Sequence, residues 1–171
     1  YLVTACLLAG LAAAANTLTP ETGLRRSIYT QADFAGTPID ERTAEVNLEF
    51  LNDRLDLPRR FFSVRWRGFV FLDKAQPVEF FAGGDDQVEL RVDGQLLVRR
   101  SPREGMGTRS RTLPLEAGAH EISVDYQQFG GGMSLNIQRA IAGGAPGPFL
   151  ATELFTKPVE ARQVWISKAA Q

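Results

Sequence analysis

The sequence predicts an all-β protein, an antiparallel β-sandwich preceded by one apolar N-terminal helix. Three observations carry that expectation. From Leu24 onward, apolar and polar residues alternate in several short runs, the mark of strands with one buried face. Turn residues recur between those runs, among them Asp93-Gly94, Gly118 and Gly130-Gly131-Gly132. The longest charge-free stretch is confined to the N-terminus. Many short strands joined by hairpin turns are what a sandwich requires.

The first fifteen residues, YLVTACLLAGLAAAA, carry no charge, and the first charged side chain is Glu21. As a helix they would extend about 22 Å, short of the ~30 Å hydrocarbon core of a bilayer. The chain opens on Tyr1 with no basic run before it, so the apolar run is expected to continue upstream. A transmembrane anchor, a signal peptide cleaved near Ala12 to Ala15, and a buried soluble helix all fit this composition. The anchor is the reading carried forward: residues 1–19 form a transmembrane or signal-anchor helix. That places the rest of the chain on the extracytoplasmic side, periplasmic or at the cell surface. Cys6 lies inside the run, where packing is its expected role. Pro20 cannot continue a helix, so 20–23 reads as a linker into a sandwich spanning 24–156.

Ser27-Ile28-Tyr29 is a short strand ending in a polar loop around Asp33 to Gly36. Glu41 to Leu55 has mixed spacing and fits either a turn of helix or a short strand. Phe61 to Leu72 reads as a long strand with Phe62, Val64 and Trp66 on one face. Gly68 interrupts it, which implies a bulge or a close backbone approach. Pro77 to Phe81 begins the next strand after an Asp73-Lys74 turn. Val88, Leu90 and Val92 then alternate with Glu89, Arg91 and Asp93, and Asp93-Gly94 is a strong hairpin signal. Thr108 to Leu115 is expected to pair with Glu121 to Tyr126 across Glu116-Ala117-Gly118. The triple glycine leads into Met133 to Gln138, and Ala151 to Phe155 is a closing edge strand. Lys157 to Gln171 reads as a tail or linker.

Composition narrows the function classes. A net charge of −1, from 19 basic and 20 acidic residues, argues against a nucleic-acid binder, which needs a basic excess to displace counterions. One cysteine excludes an internal disulfide and a cysteine metal cage. One histidine, His120, comes with no nucleophile-elbow motif. Binding, not catalysis, is the expected activity, and the chain is read as not an enzyme. His120 at a strand start reads as structural, and Trp66 as core. Arg99, Arg100, Arg103, Arg109 and Arg111 are expected on one loop, either solvated or facing an anionic partner.

Three segments occur in one order and spacing: FSVRWRGFVFL at Phe62 to Leu72, GGDDQVELRVDG at Gly83 to Gly94, and AGAHEISVDYQQFGGGMSLNI at Ala117 to Ile137. Together they resemble the protective-antigen module, or PA14 domain, over residues 23–155. The resemblance implies a non-catalytic sandwich of the protective-antigen type, tied to carbohydrate recognition. In its lectin-like members, two consecutive aspartates joined by a cis peptide chelate a calcium ion that coordinates sugar hydroxyls. Asp85 and Asp86 match those positions. Ca²⁺ takes about six to eight oxygen ligands and can share some with a diol. The alternative reading has one aspartate capping backbone N–H groups in the turn. Gln127 and Gln128 lie on a loop that could face the same site. The chain departs from the lectins in its lack of long inserted loops and in Arg99 to Pro102, which stand where an aromatic would follow the hairpin.

The function expected from all this is an extracytoplasmic carbohydrate-binding or adhesion module, tethered to the membrane and assisted by Ca²⁺. Its partners would be a glycan or cell-envelope polysaccharide, the membrane, and a larger membrane protein. The alternative is a structural accessory subunit that braces a membrane complex through protein contacts.

Overall fold

The computed structural model describes residues 20–101 and 108–169. The expected N-terminal anchor, Cys6 and Arg103 lie outside the described residues. In chain order the strands are β1 (Leu24–Tyr29), β2 (Ile39–Thr43), β3 (Phe62–Leu72), β4 (Gln76–Asp85), β5 (Gln87–Val92), β6 (Gln95–Arg100), β7 (Arg109–Leu115), β8 (Gly118–Gln128), β9 (Ser134–Ile141) and β10 (Leu154–Phe155), followed by helix α1 (Ala161–Ala169). They form two antiparallel sheets. The larger runs β2-β1-β3-β8-β5-β6 with β10 also on β3, and the smaller runs β7-β4-β9.

The sandwich forms because each sheet has one apolar face. Phe62, Val64 and Trp66 of β3, Val88, Leu90 and Val92 of β5, and Ile122, Val124 and Tyr126 of β8 all point into one core. Val78, Phe80 and Ala82 of β4 and Ile137 of β9 meet them from the smaller sheet. Each large apolar side chain buried this way contributes about 1.5–3 kcal/mol. Trp66 is fully buried, as its alternation with Val64 and Phe62 implied.

Gly68 marks a close approach and not a bulge, since the β3–β8 register is continuous through it. A Cβ there would lie 2.5 Å from the Phe155 carbonyl oxygen and 2.6 Å from Leu24 Cδ2. β1 covers β3 from Ser63 to Arg67, and β10 takes over at Phe69 and Val70. Gly68 is the junction where the two short strands meet on one edge. The ambiguous stretch from Glu41 holds both candidate elements: β2, then a 3-10 turn at Glu49–Asp53. Leu51 and Leu57 bury themselves from this segment. Arg26 stacks 3.8 Å over the Phe50 ring and reaches Glu41 at 2.6 Å, and Glu41 also accepts Arg54.

One expected pairing is overturned. β7 does not pair with β8; it pairs with β4 in the smaller sheet, while β8 lies between β3 and β5. The glycine turn does reverse the chain, with Gly118 at φ 131°, but it carries the chain from one sheet to the other. Turn chemistry sets a local reversal, and the partner is set by which apolar rows complete a core. The tail contains α1, whose Val164 packs against Phe71 and Phe155 on the outer face of the larger sheet. No helix among the described residues is long and apolar enough to cross a membrane.

Candidate functional site

β4 belongs to the smaller sheet and β5 to the larger, and only Asp86 separates them. The acidic pair therefore sits on the seam where the chain passes between sheets. Asp85 is still in register with Ser134 of β9, and Gln87 is already in register with Gln127 of β8. The Asp85–Asp86 peptide is cis.

The two side chains face the glycine loop between β8 and β9. Asp86 Oδ2 accepts the backbone N–H of Phe129 at 2.6 Å and of Gly130 at 3.1 Å. Asp85 Oδ2 lies so near Gly132 that a Cβ there would sit 2.9 Å away. A tight glycine loop lets the backbone come this close to a carboxylate. Partial burial, followed by the hydrogen bond and like charge of Asp86, pushes the Asp85 carboxyl above its ordinary value; Arg100 opposes that rise. Arg100 is 3% exposed and donates from Nε to the Gly84 carbonyl at 3.0 Å.

A buried polar chain backs the pair. The Tyr126 hydroxyl lies 2.5 Å from the Asp85 carbonyl oxygen and 2.6 Å from Gln128 Oε1. Gln128 Nε2 donates to the Gly132 carbonyl at 2.8 Å. Burial, then the charges of Asp86 and Asp85, raise the Tyr126 phenol above its ordinary value, so it stays a hydrogen-bond donor. Strand β8 thus ties the acidic connection and the glycine loop to each other.

The structure corrects the role expected of the two glutamines. Gln128 is fully buried, and its amide engages Tyr126 and Gly132, so it supports the loop from within the core. Gln127 points to the outer face of the larger sheet, where its Nε2 donates to the Ala32 carbonyl and its Oε1 accepts from Gln87 at 2.8 Å. Side chains alternate along a strand, so two adjacent residues of β8 cannot both face one site. Among the described residues, no group of three or more His, Cys, Asp or Glu side chains gathers as a metal cluster. Asp85 and Asp86 supply hard oxygen donors, which is the chemistry Ca²⁺ takes, and they would share it with carbonyls, water or ligand hydroxyls.

The expected arginine loop is also dispersed. Arg99 pairs with Glu89 at 2.7 Å, Arg100 turns inward, and Arg109 and Arg111 lie on β7. His120 is a structural clamp: Nδ1 lies 2.7 Å from Asp93 Oδ2 and Nε2 lies 2.9 Å from the Glu116 carbonyl. Sequence reasoning missed Tyr126 as a polar member of the site. The available signal was its place on a buried face, where a hydroxyl needs a partner. Nothing in the sequence separates inward Arg100 from outward Arg99 except strand parity.

Comparison with known proteins fits this geometry. No family model matches the chain. Over 109 residues it is 28% identical to the anti-sigma-I factor RsgI3 of Acetivibrio thermocellus, covering 62% of this chain and 17% of that protein. An anti-sigma factor domain-containing protein superposes with a TM-score of 0.71 at 23% identity, over 80% of this chain and 48% of that one. The PA14 sugar-binding domain of an RTX adhesin superposes with a TM-score of 0.64 at 18% identity, over 80% of this chain and 99% of that one. The chain thus spans less than a fifth of its curated relative and about half of that anti-sigma structure. The fold is PA14-like.

Proposed function

We propose that this chain is a non-catalytic, extracytoplasmic carbohydrate-binding module in which Asp85 and Asp86 hold Ca²⁺ for a sugar diol. One observation carries the reading: the fold sets two carboxylates side by side at the seam of its sheets, facing the glycine loop, where burial first and then Asp86 raise the Asp85 carboxyl. A bound cation removes that repulsion and offers open coordination positions to vicinal hydroxyls. The likeness to a sugar-binding adhesin domain supports the ligand class. Asp86 would act both as a cap for the loop N–H groups and as a ligand through its other oxygen.

Likeness to anti-sigma factors favours a second element of the reading. The module would belong to a longer, membrane-associated regulatory protein, with residues 1–19 as its anchor and 24–156 as its sandwich. In the alternative role it would brace a membrane complex through protein contacts. Calcium titration by calorimetry, on the full chain and on Asp85→Ala/Asp86→Ala, tests the first reading. Heat in the parent and none in the variant is expected, with glycan-array binding that needs calcium. No calcium-dependent heat and no glycan binding would overturn it. Co-purification with a membrane partner in mild detergent is the result expected of the bracing role.

A further inference from the structure

Strand β9 ends the smaller sheet, and part of its outer edge has no partner among the described residues. Along an antiparallel strand, each residue points its N–H and C=O together to one side, and the side alternates. Past the end of β9, Ala142 donates its N–H to the Pro77 carbonyl of β4, whereas Arg139 exchanges both of its bonds with Gly147. The even-numbered residues of β9 therefore bond to β4, and Leu135, Ile137 and Arg139 face away from it. The returning chain bridges this edge once, at Gly147. The next pairing would set Phe149 against Ile137, and it is not made. Phe149 instead turns its ring into the core, 6.3 Å from Phe80, before the chain reaches β10. Among the described residues, no hydrogen bond reaches the outward N–H or C=O of Leu135 or Ile137.

This open edge meets a groove of about 290 Å³ between β9 and the segment that follows β2. Val46, Ile137 and Phe149 give the groove an apolar floor. Glu45 and Glu49, both exposed, stand on its wall, and no basic residue lines it. Ile137 is buried, so its amide groups are costly to leave without a partner. An unpaired strand edge is a template for another extended chain. A residue paired with Ile137 would turn its side chain to the same inner face, where the floor is apolar. Basic side chains beside it would meet Glu45 and Glu49.

We infer that the Leu135–Ile137 edge of β9 is a docking site for an extended peptide segment of a partner protein, apolar at its paired positions and basic beside them. The segment adds a strand to the smaller sheet through main-chain hydrogen bonds, and the acidic wall selects its charge. This goes beyond the sugar-binding reading and needs neither calcium nor the acidic connection.

The probe is a short capped peptide that alternates valine and threonine between terminal lysines. It is titrated into the full chain and followed by NMR and amide hydrogen exchange. Two further forms carry N-methyl groups on the valine amides or on the threonine amides, and another has glutamate in place of lysine. Valines take the paired, inward positions, so methylation there should abolish binding, while methylated threonines should keep affinity within about threefold. The lysine peptide should bind about tenfold more tightly than the glutamate form and slow exchange at Leu135 and Ile137 about tenfold. Glu45→Lys/Glu49→Lys, at exposed positions, should reverse that charge preference in a folded protein.

Equal binding of the two methylated forms, or protection at another sheet edge, overturns the added strand. Protection of Leu135 and Ile137 that grows with protein concentration and needs no peptide assigns the edge to a second copy and overturns the partner segment. A charge preference that survives the double substitution overturns the acidic selection. No slowing at either amide up to the solubility limit of the peptide overturns the site.

Discussion

Asp85 and Asp93 flank the same strand, β5, yet their carboxylates meet opposite surroundings. Asp93 occupies the β5–β6 turn with φ 49°, followed by Gly94 at φ 74°, the backbone of a tight hairpin. Its Oδ1 accepts the Glu121 N–H at 2.9 Å and its Oδ2 meets His120 at 2.7 Å. Both nitrogens of His120 lie beside acceptors, so the protonated ring can donate to both. Burial alone would lower the His120 value, but the Glu116 carbonyl and Asp93 outweigh it and raise the value above 6.5. At the other end, Asp85 faces Asp86. A carboxylate satisfied within the fold staples two connections together. One set beside its own kind is held above its ordinary value, by burial first and then by that neighbour.

The largest effect should come from the polar chain behind the acidic end. Gln128→Ala leaves the Tyr126 hydroxyl and the Gly132 carbonyl short of a buried partner, and should cost about 2–3 kcal/mol in urea denaturation. Calcium affinity should fall with it. Unchanged stability would mean that the acidic end carries its own geometry without β8.

The clamp should answer to pH. Because His120 has a raised value in the fold, its contribution is fully present below the unfolded value, about 6.5, and fades as pH rises through the folded value. His120→Ala should cost about 1–2 kcal/mol at pH 6 and little at pH 9. A pH-independent loss would show that the ring acts by packing alone.

The smallest effect should be at Asp85, and in a different pH window. Its carboxyl is raised, so the fold holds the proton longer than the unfolded chain does, and stability declines as pH climbs from the ordinary carboxylate value, near 3.9. Saturating calcium should abolish that decline and leave the His120 window untouched. Asp85→Asn should raise metal-free stability slightly at neutral pH and remove the calcium response. A calcium response that survives the substitution would assign the cation elsewhere.

Much of this contrast is legible in the residues. Asp93-Gly94 announces its turn because two successive positive φ angles suit few dipeptides. The alternation in β3, β5 and β8 names the core correctly, Trp66 included. The site was legible only in part. Asp85 and Asp86 stand out through resemblance, but Gln128 reads as a loop amide when it is a fully buried support. Side-chain parity in β8 was already available as a clue, and it excludes Gln127 and Gln128 from sharing a face.

Local chemistry, then, was enough for strands, turns and buried faces, because period-two burial and positive-φ glycines act over a few residues. Only the assembled sandwich decided partners. It sent β7 to β4, set β10 end to end with β1 at Gly68, and laid Asp86 against the loop after β8. Those outcomes depend on contacts between residues distant in the chain, where many pairings satisfy the same pattern and the closing of one common core selects among them.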